Sequence, residues 1–277
     1  MDRHGQPRPQ VSARAGPVES ESRGWRVVRG IASYVGAAAT CRVEVASRPV
    51  VGGLLEYTRQ CVRGLLRHSR PPFDLVFLNP GALDGTSDYL AGLADGSPAR
   101  IDVVAVEPEW GMAKEKKEEM IAVRGDYVAI LNNDVIVGPH WLASMTGLLA
   151  AQPQLGMVGP MTNIGPERQL IPPLSYPTLQ PAADPLAGPD WPPFLQGLDA
   201  CARRMREERQ GQWTEADSLG AGCAVLRKTC LQRLAAFPAR SPLGHFDIPG
   251  LSQRVRQAGF GLAVTVAPMK ADPCARP

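Results

Sequence analysis

No run of eighteen apolar residues occurs in this 277-residue chain, so no membrane-spanning helix is expected. The six cysteines (Cys41, Cys61, Cys201, Cys223, Cys230, Cys274) form no CxxC pair, which argues against a zinc site. They are also too sparse for a disulfide scaffold, which fits a reducing compartment. A formal charge of +3 is too small to mark nucleic acid as a partner. The densest arginine run, Arg203, Arg204, Arg206 and Arg209, sits beside two glutamates and reads as a solvated helix face. The N-terminus lacks the basic-then-apolar order of a secretion signal. Cytoplasm is therefore the expected location, with peripheral membrane association left open. No internal repeat is visible. What remains is 44% apolar and 21% charged, enough to build one large α/β domain or two small ones.

Residues 1–24 are rich in Pro, Arg, Gly, Ser and Glu without apolar period, and are expected to be a disordered tail. The spacing then predicts a strand near 42–46, a helix over 54–68 ended by Pro71 and Pro72, and a strand over 74–78. A helix over 87–93 capped by Thr86, a strand over 101–106 and a charged helix over 114–120 follow. Next come a buried strand over 127–131, a helix over about 140–151 opened by Pro139, and a short strand at 157–158. Residues 165–193 carry nine prolines and are expected to form a long functional or mobile loop. Beyond it, the pattern gives a helix over 194–210, a glycine-containing strand over 219–226, a helix over 248–258 with an irregular start, and a strand over 261–266. Strands alternating with helices argue for a three-layer α/β/α sandwich around a mostly parallel sheet.

The most informative stretch is residues 125–139. Its apolar run ends abruptly in Asn132-Asn133-Asp134, where open α/β sheets bind ligands. A carboxylate with carboxamide neighbours there can hold a hard divalent cation, and the cation a diphosphate. The plainer alternative is an Asn/Asp-rich turn.

An ordered series of motifs resembles bacterial family-two glycosyltransferases. Residues 55–61 with 67–73 are similar to that family's first helix and turn, and residues 78–86 to its following strand and aspartate motif. Residues 125–134 resemble its metal-binding signature. Trp141-Leu142, residues 156–160, residues 220–223 and residues 254–260 follow in the family's order. The resemblance spans about residues 41–268 and implies a glycosyltransferase-like domain over 25–268, with a donor half over about 41–160, an acceptor half over about 161–268, and a tail over 269–277.

The resemblance implies a nucleotide-diphospho-sugar transferase fold of the GT-A type, Mn2+ or Mg2+, a nucleotide-sugar donor and a hydroxyl acceptor. It implies an inverting displacement in which the metal offsets charge on the departing diphosphate and a carboxylate deprotonates the acceptor. It carries metal binding to Asp134, donor contacts to Asn79, Asp84 and Asn132, and the catalytic base to Asp247. For Asp84 and Asp134, turn or helix capping is the plainer alternative, as is a strand-end role for Asn79.

Departures from the family cluster at the catalytic end. Ile248 occupies the position implied for the base, and Gly250 replaces the last acidic residue. Residues 111–119 read Gly-Met-Ala-Lys-Glu-Lys-Lys-Glu-Glu where small and amide residues are usual, and no His-His segment follows. These changes keep a second reading open, a catalytically silent relative that binds a nucleotide, a glycan or a protein. A nucleotidyltransferase would need a glycine-rich basic start loop, which is absent. Trp191 and Trp213 flank the long loop, where aromatic rings can stack on a sugar, although core packing is their plainer role.

Overall fold

The structure, a computed structural model, describes residues 26–27, 41–46, 55–69, 73–79, 84–93, 100–105, 125–171, 190–220, 222–234 and 247–270. The tail over 1–24 and the charged helix expected at 114–120 fall outside them.

The strands are β1 (Arg26–Val27), β2 (Cys41–Ala46), β3 (Phe73–Asn79), β4 (Arg100–Ala105), β5 (Tyr127–Asn132), β6 (Ile136–Val137), β7 (Leu155–Thr162), β8 (Gln212–Ala216), β9 (Cys223–Arg227) and β10 (Gly261–Lys270). The helices are α1 (Leu55–His68), α2 (Thr86–Ala91), α3 (Trp141–Ala151), α4 (Trp191–Arg209), α5 (Lys228–Arg233) and α6 (Ile248–Gln257), with a 3-10 turn at Glu167–Gln169. Among the described residues the strands form one sheet in the order β1-β8-β10-β7-β9-β5-β2-β3-β4, with β6 paired to the end of β10.

Direction follows from the pairings. β2 is parallel to β3 and β5, β3 to β4, and β7 to β10. β9 lies antiparallel between β5 and β7, which therefore share a direction. The sheet is thus largely parallel, with β8, β9 and β6 as the antiparallel members. β9, from the half expected to bind acceptor, is wedged between two strands of the other half, so both halves share one sheet.

Alternation along β5 sends Tyr127, Ala129 and Leu131 to one face and Val128 and Ile130 to the other. The first face packs against α1 and α3 through Cys61, Leu65, Trp141 and Met145. The second packs against α5 and α6. In α6, Ile248, Leu251 and Val255 bury a helical stripe, a transfer gain of roughly 4–9 kcal/mol before entropy is subtracted.

Several local expectations are corrected. Pro139 does not open α3. Instead Gly138 accepts a hydrogen bond from the Trp141 N–H at 3.4 Å, with His140 at φ 63°. Proline at the second turn position and a positive φ at the third are the marks of a type II turn. Thr86 does not cap α2; the N-cap is Gly85, at φ 86°. The helix expected from 194 starts at Trp191 because Pro192 and Pro193 fit a first turn, which needs no N–H donors there. The expected irregular start of the helix at 248 is regular for the same reason, with Pro249 in its first turn. The strand expected over 219–226 begins only at Cys223, because Gly222 at φ 67° breaks extended structure. The strand at 157–158 is the middle of the eight-residue β7, and the strand over 261–266 continues to Lys270. β1, β6, β8, α5 and the 3-10 turn inside the expected loop carried no signal strong enough to predict.

Candidate functional site

Because β2, β3, β4, β5, β7 and β10 run the same way, the carboxyl ends of these six strands meet at one edge. Asn79 ends β3 and Asn132 ends β5, flanking β2, whose Ala46 pairs with both Leu78 and Asn132. Two strand spacings put these backbones about 10 Å apart. Their side chains diverge. Asn79 donates from Nδ2 to Ser87 Oγ in α2 at 2.9 Å, whereas the Asn132 amide lies against Gly222.

The Asn132-Asn133-Asp134 turn is held from three sides. The Asn132 N–H donates to the Gly222 carbonyl at 2.8 Å, and the Val135 N–H closes the turn onto the Asn132 carbonyl at 3.2 Å. Asn133 Nδ2 donates to Thr58 Oγ1 of α1 at 2.8 Å. Asp134 is only 2% exposed. The nearby Cys61 thiol is pushed well up, first by its own burial and then by the negative charge of Asp134. Cys61 therefore stays a neutral thiol beneath the turn and is no nucleophile.

Gly222 is needed on two counts: its φ is 67°, and a Cβ there would come within 2.7 Å of Asn132 Nδ2. Gly222→Ala is expected to cost about 2–4 kcal/mol, from left-handed strain plus overpacking. For a domain of this size that lowers Tm by roughly 4–16 °C, measurable by calorimetry.

Asp84 accepts the Thr86 N–H at 3.1 Å through Oδ1, a local turn bond at the start of α2. Asp247 is the N-cap of α6, and its Oδ1 accepts the Gly250 N–H at 2.9 Å. A Cβ at position 250 would overlap Asp247 Oδ2, so Gly250 is the residue that makes room for this carboxylate. Ile248, at the position implied for the base, is buried in the second core. α6 runs down into the start of β10, so its N-terminus and Asp247 lie at the carboxyl edge of the parallel strands. A bond from the Leu219 N–H to Ser252 Oγ at 2.9 Å ties that helix to the segment leading into Gly222.

The fully buried Gln169 has no counterpart in the sequence reading. Its Oε1 accepts the Gly220 N–H at 2.6 Å and its Nε2 donates to the Pro160 carbonyl at 3.0 Å, joining the 3-10 turn, β7 and the Gly220–Gly222 segment. Thr58 was missed likewise. Trp191 packs edge-on against Tyr57, with ring centroids 5.0 Å apart, and Trp213 is buried, so both serve the core. A cavity of about 660 Å³ opens along β8 among Arg168, Thr214, Arg256 and Phe260. It reaches Leu155 and Gly261, the amino ends of β7 and β10, and so lies at the opposite end of the sheet from Asp134.

A family model described as "Glycosyltransferase like family 2" matches residues 53–271. The chain belongs to that family. Among solved structures, this glycosyltransferase-family chain is similar to the mannosyltransferase PcManGT from Pyrobaculum calidifontis, solved with GDP-Man and Mn2+. The TM-score is 0.55 at 14% identity, over 90% of this chain and 60% of that one. It is also similar to GalNAc-T7, solved with UDP, GalNAc and Mn2+, at TM-score 0.54 and 11% identity over 84% of this chain and 43% of that one. An uncharacterized protein of Sinorhizobium fredii is 28% identical over 88 residues, 31% of this chain and 10% of that protein. The chain thus spans less than two thirds of each of these proteins. The fold is of the GT-A type, with a sheet that is partly antiparallel. No helix among the described residues is long and apolar enough to cross a membrane.

Proposed function

We propose that this family-two protein transfers a sugar from a nucleotide-diphosphate donor to an acceptor hydroxyl with inversion, using Asp134 to hold a divalent cation. The observation that carries this reading is Asp134 itself, a buried carboxylate closing the central strand at the edge where six parallel strands end. Asp134 and the side-chain carboxamide oxygen of Asn132 offer hard oxygen donors, which suit Mn2+ or Mg2+. When bound, such an ion supplies charge neutralisation for the departing nucleoside diphosphate.

The chain's own residues supply the rest. Asp134 fixes where the diphosphate lies, and Gly222 leaves Asn132 room beside it. Asn79 and Asp84 border the donor side from β3 and the start of α2. As the acceptor oxygen bonds to the anomeric carbon, the bond to the diphosphate breaks and its electron pair leaves with the nucleotide. The acceptor proton passes to Asp247 Oδ2, since Oδ1 is engaged by the Gly250 N–H.

The capping role of Asp247 and the burial of Ile248 favour a second reading, a chain that binds a donor without turning it over. A donor panel separates the two. Mn2+ with UDP- or GDP-sugars is expected to raise Tm; saturation at 100-fold over Kd corresponds to about 2.7 kcal/mol. Released nucleotide in the presence of acceptor sugars marks transfer. A Tm shift without release supports the silent binder, and no shift with any donor and metal overturns both.

A further inference from the structure

We propose that Thr58 and Asn133 are positioning residues for Asp134: their buried hydrogen bond latches the metal-holding turn onto helix α1 and sets the direction of the carboxylate. This rests on the reading of Asp134 given above.

Three observations support it. Asn133 is 1% exposed and Thr58 fully buried, and the 2.8 Å bond between them joins segments 75 residues apart. It therefore fixes how the turn sits on a neighbouring helix, beyond the turn's own closure. Cys61, one helical turn after Thr58, lies with its Sγ 4.0 Å from the Asn132 carbonyl. One face of α1 thus touches both residues that precede Asp134.

The third observation is an imperfection. Asn133 Oδ1 is buried without a hydrogen-bond partner. Buried polar atoms are nearly always paired, and each exception calls for a reason. An apolar side chain of similar size would fill this site without stranding a carbonyl oxygen. Packing does not account for an asparagine here, whereas a donor that must reach Thr58 does. Asp134 follows one peptide unit later, about 3.8 Å along the chain, so a shift of the Asn133 amide is passed directly to the carboxylate. Groups that orient a metal ligand typically govern 10- to 100-fold in affinity.

The test is Mn2+ affinity in the presence of UDP or GDP, by titration calorimetry, for the full chain and its Thr58→Val, Thr58→Ser and Asn133→Leu variants. Thr58→Val removes the acceptor oxygen at nearly constant volume and is expected to weaken Mn2+ binding about 10- to 30-fold. Thr58→Ser retains the oxygen and should stay within about twofold. Asn133→Leu should match Thr58→Val, and the double variant should lose no more than either single one, since the same shared bond is removed in each case. The metal-free Tm of Thr58→Val should stay within a few degrees, which a purely structural role for the bond would not allow alongside the affinity loss. Wild-type Mn2+ affinity in Thr58→Val, or in Asn133→Leu should Thr58→Val not fold, overturns the latch and leaves Asp134 as metal holder. Absence of Mn2+ uptake by the unmodified chain with either nucleotide overturns the underlying reading, and the latch with it.

Discussion

Asp134→Asn is expected to abolish the Mn2+-dependent rise in Tm with a nucleotide donor and to cut metal affinity by more than about 100-fold. The magnitude follows because partners one step removed from a metal are already worth 10- to 100-fold, and this substitution removes a ligand's charge. The volume change is negligible, so the fold is retained. Asp134 is nearly fully buried, and exchanging a buried carboxylate for a neutral amide relieves desolvation. Asparagine keeps one acceptor oxygen, so the metal-free Tm should stay close to that of the unmodified chain. That combination, retained stability with loss of the ligand increment, separates a metal-holding carboxylate from a turn-capping one. A capping carboxylate would instead leave the metal response intact, since asparagine caps turns as well as aspartate does. Parallel melting curves of both proteins with and without Mn2+ and UDP make the comparison.

The central strands were readable because each is a short apolar run ended by polar punctuation. β3 stops at Asn79-Pro80, and β5 at the Asn132-Asn133-Asp134 turn. The site was readable to the extent that it lies at those strand ends. Unreadable parts depend on contacts distant in sequence. Thr58 reads as one more polar residue in an amphipathic helix until α1 is laid against β5. Gln169 sits in a proline-rich stretch with no periodic pattern, and its two hydrogen bonds exist only once Pro160 and Gly220 converge. β8, Gln-Trp-Thr-Glu-Ala, is short and half-exposed, and its place is set by pairing to β10 rather than by its own composition. Gly250 shows the reverse case. In sequence it is an acidic residue lost, whereas in the fold its missing side chain admits the Asp247 carboxylate. The type II turn at Gly138-Pro139 illustrates a local signal assigned to the wrong element: proline suits both a turn's second position and a helix's first, and His140 in the left-handed region decides between them.

Asp247 supports a second large effect, and the choice of substitution decides what it means. Asp247→Ala removes both the side chain that accepts the Gly250 N–H and any proton acceptor at that position. Loss of the cap alone costs about 1 kcal/mol, or roughly 2–4 °C in Tm for a domain of this size. A rate loss in this variant is therefore ambiguous, since the N-terminus of α6 frays at the same time. Asp247→Asn is not ambiguous. Asparagine caps helices about as well as aspartate, so the bond to Gly250 and the position of α6 should be kept, with Tm nearly unchanged. An amide cannot take up the acceptor proton, and a missing general base costs about 10²- to 10⁴-fold in rate. The expected result is a transfer rate reduced at least 100-fold with donor affinity unaltered, because the proposed reading assigns donor and metal binding to Asp134 and not to Asp247. If Asp247→Asn transfers sugar at the unmodified rate while Asp247→Ala only melts earlier, the carboxylate is a cap and nothing more. The base must then lie elsewhere at the carboxyl edge of the sheet. Single-turnover rates of the two variants at saturating donor distinguish these outcomes.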